Sequence, residues 1–193
     1  MFLFFDVEAN GKPRKWSAPA SDTFNWPRMV QIAWQFYDNR AVLLEAEDYL
    51  IKPEGFEISS ESEHYHKIST ERAREEGAEL TMVLKRFSEI IRKAEYIVAH
   101  NLKLDGNVVG AEFERKGINH TLFHTERFSL MEEATYFCKL PGPGGRYKWP
   151  TLTEVYMKVF QARYADANNA KIDVQACANC FFKLVEMEEI DLF

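Results

Sequence analysis

The chain has 193 residues, of which 46% are hydrophobic and 28% are charged. This composition excludes a chain that is disordered throughout, and it favours one globular domain over residues 1–193. The formal net charge of −6 excludes binding to polyanions by bulk charge alone. Any nucleic-acid site would therefore need local basic patches or bridging cations.

The first apolar run and the cysteines indicate the class of protein. "MFLFFDVEAN" has no basic leader and reaches an acidic residue at Asp6, so it is too short for a signal sequence or a membrane span. We therefore expect a soluble, cytoplasmic protein with no membrane contact. Cys138, Cys177 and Cys180 are too few for a disulfide framework, and one CxxC pair does not complete a zinc site. We expect all three to be small buried side chains.

The first part of the chain predicts three strands. "FLFF" before Asp6 is a continuous apolar run, which is typical of a strand buried on both faces. "MVQIAWQFYD" and "AVLLEAEDYLIK" follow, and the short "DNR" between them predicts a hairpin.

The middle of the chain alternates between helical and strand patterns. "ISTERAREEG" has a Ser/Thr start and a Gly stop and predicts a short helix. "LTMVLKRFSEIIRKA" has apolar residues on one helical face. "YIVAH" predicts a short buried strand, and "DGNVVGAEFERKG" predicts a helix that ends at Gly117.

The last part of the chain is mainly helical. A weak strand is predicted around "HTLF", followed by a helix in "SLMEEATYFCKL". Thr151 and Glu154 have capping-box spacing and predict the start of the next helix. The final helix is predicted from about Asn169 to Glu186. The order predicts an α/β domain with a mixed sheet, antiparallel at the start and parallel later, flanked by helices.

Acidic residues follow the predicted strand ends, where ligand sites of such sheets tend to lie. Asp6 and Glu8 are two residues apart on a strand, so they point to the same face. Asp105 lies in the first turn of a helix after "YIVAH", and Asp173 lies in a helix whose other residues are mostly apolar. Alone, Asp6 and Glu8 could be solvated acids, and Asp105 could be a partner of its helix dipole. Together, the four can form an oxygen-rich site suited to Mg²⁺ or Mn²⁺.

Three motifs carry a family resemblance. "FFDVEANG", "AHNLKLDGNVV" and "ANNAKIDVQACA" resemble, in order and spacing, the three motifs of the DEDD exonucleases, specifically the DnaQ-like (DEDDh) proofreading group. "HKIS" and "KWPTLTEVY" resemble further family segments. The resemblance covers nearly the whole chain and implies a ribonuclease H-like fold with a mixed five-stranded sheet.

The resemblance also implies residue roles. Asp6, Glu8 and Asp173 would bind one divalent cation, and Asp6 and Asp105 would bind a second. Such a two-metal site activates a water and stabilises the charge that develops at the scissile phosphate. The implied reaction is release of 5′-nucleotides from the 3′ ends of mostly single-stranded DNA.

Asn168 departs from the family pattern. The family branch that this sequence most resembles has a general-base histidine five residues before the last aspartate, and the sister branch has a tyrosine at the position of Asn169. Asparagine cannot accept a proton at neutral pH, although it is a favoured helix N-cap. We therefore predict a weakened exonuclease. An engineered change, a natural variant with another base and a natural pseudoenzyme all fit this substitution.

Four histidines are candidates for a replacement base: His66, His100, His120 and His124. Each could serve only if the fold brings it to the carboxylates. For His66, His100 and His124 we favour structural roles.

The substrate contacts are predicted from three segments. The loop after the first strand carries Lys12, Arg14 and Trp16, a combination suited to phosphates and a stacked base, although a solvated loop explains it equally well. The family resemblance implies backbone contacts to the terminal sugar at Ala9 and Asn10, with Ala9 replacing the usual threonine. Asn101 is a further candidate contact before Asp105.

The substrate class has alternatives. The same site could trim RNA, since the sequence contains no discriminator between the two sugars. A non-catalytic nucleic-acid-binding module is a third interpretation, although four intact carboxylates favour an enzyme. The resemblance leaves a DNA polymerase subunit as a candidate protein partner.

Overall fold

The computed structural model describes residues 1–164 and 167–192, which contain a five-stranded mixed sheet in the order β3-β2-β1-β4-β5. β1 is central and pairs antiparallel with β2 and parallel with β4. β2 and β3 are antiparallel, and β4 and β5 are parallel. The strands are β1 Phe2–Ala9, β2 Met29–Tyr37, β3 Leu43–Leu50, β4 Tyr96–Ala99 and β5 Glu126–Ser129. The predicted mixed α/β sheet is confirmed.

Helices cover both faces of the sheet. In the described part of the chain, no helix combines the length and the apolar character of a membrane span. Their bounds are α1 Ser60–His66, α2 Thr70–Glu76, α3 Leu80–Ile91, α4 Leu102–Lys116, α5 Leu130–Glu133, α6 Thr135–Cys138, α7 Leu152–Phe160 and α8 Ala170–Glu186. A short 3₁₀ turn lies at Pro143–Gly145.

Several helix ends are those that the sequence predicts. The Thr151 side chain accepts from the Glu154 backbone, and the Glu154 side chain accepts from the Thr151 N–H, so the capping box of α7 is formed. Gly117 ends α4 in the left-handed conformation, with φ 60°. α8 begins after Asn169, whose side chain accepts from the Lys171 N–H. Local capping chemistry is therefore sufficient to define these boundaries.

The strand predicted around residues 120–123 is misplaced. The fifth strand is β5 rather than residues 120–123, because His120 stacks on Phe113 with ring centroids 4.3 Å apart and its Nδ1 accepts the Leu122 N–H. This local turn removes the segment from the sheet.

The helix predicted over residues 129–140 is divided into α5 and α6. The Thr135 hydroxyl donates to the Met131 carbonyl at 2.8 Å, a back-bond that tends to bend helices. α1, which the sequence does not predict as a helix, is capped by the Ser59 hydroxyl and ends at Lys67 with φ 61°.

The core has two main layers, one on each face of the sheet. Leu3, Phe5 and Val7 of β1 pack with apolar side chains of α3 and α4. Phe2 and Phe4 point to the opposite face and pack with side chains of α7 and α8. Cys138, Cys177 and Cys180 are buried and unbonded in this second layer, as predicted. Side chains that alternate along β1 therefore face two different helical layers.

A buried carboxylate fixes the long loop between β1 and β2. Glu112 of α4 is fully buried, and its Oε1 accepts from Arg28 Nε at 2.9 Å and from the Met29 N–H at 3.0 Å. Arg115, paired with the same oxygen at 3.0 Å, donates to the carbonyls of Thr23 and Trp26. This network attaches the end of the loop to α4.

Two glycines of α4 give a matched test of packing. A Cβ on Gly110 would lie 2.7 Å from the Phe123 ring and 2.9 Å from Ala20 Cβ, whereas one on Gly106 would have only ordinary contacts at 3.8 Å or more. We expect Gly110→Ala to lower the free energy of unfolding by about 1–3 kcal/mol through overpacking. Gly106→Ala should raise it by about 0.5–1 kcal/mol because alanine stabilises helices. Urea denaturation in EDTA measures both, and stabilisation by Gly110→Ala would contradict this packing.

Candidate active site

Two carboxylates lie at the carboxyl end of the central strand. Asp6 pairs in register with Ala33 of β2, and Glu8 pairs with Gln31. Both have the same parity as Phe4, which packs against the α8 layer. Asp6 and Glu8 therefore point toward α8, beyond the apolar part of the strand.

α8 brings a third carboxylate to this point. Asp173 lies in the first turn of the helix and is 8% exposed. One carboxylate oxygen each from Asp6, Glu8 and Asp173 lie within 4.8 Å of one another. Carboxylate oxygens this close can bind a single hard cation, because Mg²⁺ and Mn²⁺ prefer oxygen ligands.

The fourth predicted carboxylate approaches from another element. Asp105 lies in the first turn of α4, which packs on the opposite face of the sheet from α8, and it is 4% exposed. It lines the same cavity as the other three carboxylates, but it is not part of the close group of three oxygens. Three of the four acids thus form a close group, and Asp105 lines the same cavity outside that group.

The carboxylates share a cavity of about 570 Å³. Its wall is formed by the end of β1, the residues that follow β4, the first turns of α4, α5, α7 and α8, the segments before α7 and α8, and one residue of α1. Among the described residues a larger groove of about 930 Å³ also exists, but its wall is mainly aromatic and aliphatic and it contains none of the four acids. We therefore assign the candidate active site to the smaller cavity.

Burial and mutual repulsion raise the pKa values of these acids. Burial raises the pKa of Asp6 well above its ordinary value, and the charges of Asp105, Asp173 and Glu8 raise it further. Burial, followed by the charge of Asp173, raises the pKa of Glu8 to about 8. The pKa of Asp105 is raised by burial and by Glu8. Without a cation, the cluster is thus an unfavourable place for negative charge.

Hydrogen bonds moderate this effect at Asp173. Burial raises its pKa, while bonds from the Tyr164 hydroxyl and from the backbones of Asn168 and Asn169 lower it. The Tyr164 hydroxyl donates to Oδ1 at 2.8 Å. The N–H groups of Asn168 and Asn169 donate to Oδ2 at 2.8 and 3.1 Å. Both oxygens of this carboxylate are therefore held by the segment that precedes α8.

Asn168, at the predicted general-base position, lines the cavity. Its backbone is in the left-handed region with φ 69°. Asparagine, aspartate and histidine are the non-glycine residues most tolerant of that region. The Asn168 N–H donates to Asp173, so this position has a structural role that does not depend on a basic side chain.

Of the four candidate histidines, His100 is among the residues that line the cavity. Burial lowers its pKa to about 4, so the imidazole is neutral at physiological pH and a weak base. His66 is buried in α1, where its Nδ1 accepts the Ile68 N–H at 3.1 Å. His66, His120 and His124 are not in the described cavity wall.

The predicted substrate contacts differ in position. Asn101 lines the cavity and caps α4, its side chain accepting the Leu104 N–H at 3.3 Å. Ala9 ends β1 at an irregularity in its pairing with β2. The Asn10 N–H donates to the Arg28 carbonyl at 2.8 Å, and its side chain bonds to the backbone at Glu57 and Ser59. Asn10 therefore connects the end of β1 to the start of α1.

The basic loop does not form part of this wall. Lys12, Arg14 and Trp16 are exposed, and none lines the described cavity. The loop is closed on itself by reciprocal bonds between Asn25 and the Lys15 backbone, at 2.7 and 3.0 Å. Substrate contact by these three side chains stays a prediction.

Three aromatic residues of the cavity wall are not among the site residues predicted from the sequence. Tyr65 of α1 and Trp149 before α7 are 66% and 60% exposed although they line the cavity, and Tyr164 lies between α7 and α8. Trp149 precedes Pro150 at a helix start, which is a usable sequence signal. Tyr65 and Tyr164 have no such signal, because their positions depend on how α1 and the segment between α7 and α8 pack over the sheet.

The family comparison covers most of the chain. The family model of the RNase T exonucleases, described as "Exonuclease", matches residues 3–181. Among curated protein sequences, none matches this chain significantly.

Solved structures of a bacterial exonuclease share the fold. Escherichia coli Exonuclease I in complex with a dT13 oligonucleotide has a TM-score of 0.74 at 21% identity, covering 96% of this chain and 40% of that chain. The zinc-bound form of the E. coli Exonuclease I complex with single-stranded DNA has a TM-score of 0.75 at 21% identity, with the same coverage. This chain thus spans about 40% of the length of those proteins.

The order of strands and helices is the ribonuclease H-like arrangement that the sequence motifs imply. The acidic cavity lies within the matched residues, at the end of the central strand. Because the family model spans nearly the whole chain, the protein belongs to the RNase T family of exonucleases, a DnaQ-like family of the ribonuclease H-like superfamily.

Proposed function

We propose that this protein is a metal-dependent 3′–5′ exonuclease that releases 5′-nucleotides from single-stranded DNA ends. The observation that carries the proposal is a group of three carboxylates, from half-buried Asp6 and buried Glu8 and Asp173, with oxygens within 4.8 Å of one another. Family membership supplies the reaction class. A protein that only bound nucleic acid would have no need to hold repelling acids against a cavity.

The donor set fits divalent cations such as Mg²⁺ or Mn²⁺. Asp6, Glu8 and Asp173 would hold one ion, and Asp6 with Asp105 would hold a second. Bound cations of this kind supply charge neutralisation at the scissile phosphate and an activated water. The raised pKa values support the assignment, because a cation replaces the protons that the buried acids otherwise retain.

The cavity also suits a flexible strand end. Tyr65 and Trp149 present largely exposed rings beside the carboxylates, and aromatic rings stack on bases with little regard to sequence. The related Exonuclease I structures contain single-stranded oligonucleotides, which supports the same substrate class here. With a net charge of −6, binding would depend on cations and stacking more than on bulk attraction.

Because it has asparagine at position 168, this protein should be a slower enzyme than a relative with histidine there. The amide cannot take a proton from water, and His100, with a pKa of about 4, is a weak substitute. A missing general base reduces the rate by roughly 10²–10⁴-fold, while cation-assisted activation remains. The same substitution favours the second candidate, a nucleic-acid-binding module without catalysis.

The central test compares the wild-type chain with Asp6→Asn on 5′-labelled DNA and RNA oligonucleotides in Mg²⁺, Mn²⁺ or EDTA. We expect metal-dependent shortening of DNA from the 3′ end, and we expect Asp6→Asn to abolish it because both cation positions use Asp6. Asp191→Asn, an exposed acid outside the cavity, is the matched control.

Each alternative has its own outcome in that experiment. Shortening of RNA alone would assign an exoribonuclease, and cation-dependent binding without shortening would assign the non-catalytic module. If neither the wild-type chain nor Asn168→His shortens any 3′ end in either metal, the exonuclease proposal fails.

A second prediction restores the base. Asn168→His should raise the single-turnover rate by about 10²-fold, since histidine tolerates the left-handed backbone and can accept a proton near neutral pH. The gain should disappear below the histidine pKa, about 6.5. Asn168→Gly is the control, because it relaxes the same backbone without a base. An equal gain in the glycine variant would rule out proton transfer as the cause.

A third prediction concerns the cation-free protein. The folded-state pKa of Glu8, about 8, lies above its ordinary 4.5, so the folded state retains a proton that the unfolded state releases. Stability should therefore fall as pH rises from about 4.5 to about 8, by on the order of 2–5 kcal/mol. Glu8→Gln should reduce this fall, whereas Glu75→Gln, at an exposed site on α2, should not. Urea denaturation in EDTA across this pH range measures the effect, and parallel curves for all three proteins would contradict it.

A further inference from the structure

Tyr164 connects the candidate metal site to aromatic side chains of α7. Its hydroxyl donates to Oδ1 of Asp173 at 2.8 Å. Its ring packs on Tyr156 with centroids 5.1 Å apart, and Tyr156 packs on Phe160 at 4.6 Å. Tyr156 and Phe160 belong to α7, so the phenol is supported by a helix and not only by the loop that carries it.

The two oxygens of Asp173 are held by different groups. The backbone N–H groups of Asn168 and Asn169 donate to Oδ2, while Tyr164 is the donor to Oδ1. Each carboxylate oxygen has two lone-pair directions. The phenol therefore occupies one direction at Oδ1 and leaves another for a cation.

We propose that Tyr164 is a positioning residue, which sets the orientation of the Asp173 carboxylate for the cation shared with Asp6 and Glu8. This inference rests on the proposed function. The Asp χ2 torsion is broad, so rotamer preference alone does not fix the plane of the carboxylate, and hydrogen bonds must do so. The bond from Tyr164 adds a second fixed point, at Oδ1, to the backbone bonds at Oδ2.

A neutral donor is suited to this role. A phenol is uncharged near neutral pH, so its O–H remains a donor to Asp173. A lysine or arginine at the same place would neutralise Asp173 and compete with the cation for it. The phenol orients the ligand without cancelling the charge that attracts the metal. Groups that orient metal ligands typically contribute 10–100-fold to metal affinity.

Tyr164→Phe removes a single oxygen and retains the packing on Tyr156. We expect Mn²⁺ affinity of the full chain, measured by isothermal titration calorimetry, to fall by about 10-fold. On a DNA oligonucleotide, kcat at limiting Mn²⁺ should fall with KM unchanged, and higher Mn²⁺ should restore the rate. Tyr156→Phe is the matched control, since it removes a hydroxyl from the same aromatic group without touching a carboxylate in the described contacts.

The outcomes separate this inference from the proposed function. If the wild-type chain binds no Mn²⁺, or binds it as well after Asp6→Asn, the metal site itself fails. If the wild-type chain binds Mn²⁺ through Asp6 and Tyr164→Phe binds it equally or more tightly, the positioning role is overturned while the site stands. An equal loss in Tyr156→Phe would assign the effect to packing and overturn it too. Thermal melting in EDTA verifies that each variant is folded.

Discussion

The repulsion among buried carboxylates at the end of β1 is the constraint on which the rest of the site depends. Asp6, Glu8, Asp105 and Asp173 are each largely removed from water, and burial raises the pKa of every one of them. Such an arrangement is unfavourable unless a cation or protons compensate for the charge. The surrounding scaffold must hold the acids together when the cation is absent.

The scaffold does this from both faces of the sheet. Alternate side chains of β1 enter two separate apolar layers, so the strand is fixed on both sides. α8 supplies Asp173 from one face and α4 supplies Asp105 from the other. α4 also holds the loop after β1 through buried Glu112, which receives hydrogen bonds from Arg28 and the Met29 backbone. Rigid elements, rather than the loops between them, therefore carry the four acids.

The segment before α8 has two roles, one for its backbone and one for a side chain, and the sequence motif alone does not distinguish them. Its backbone N–H groups at Asn168 and Asn169 hold Asp173, and the side chain of Asn168 lies in the cavity wall. Asn168 adopts the left-handed conformation, which both asparagine and histidine tolerate. A change between these two residues can thus alter proton transfer while the support of Asp173 is retained. This separation explains how the motif can depart at one position and keep the architecture of the site.

The sequence by itself determined the mixed α/β order, the starts of α7 and α8 and the acids to examine, because apolar runs, helix caps and the residues within each motif are local. It misplaced β5 because the turn at His120 depends on Phe113 of α4, and it missed α1. Only the tertiary structure decided that three acids form a close group and that Lys12, Arg14 and Trp16 lie outside the cavity wall. It also decided that Tyr164 reaches Asp173. These contacts join segments on different layers, and their distances depend on how helices and loops pack over the sheet, which local patterns do not encode.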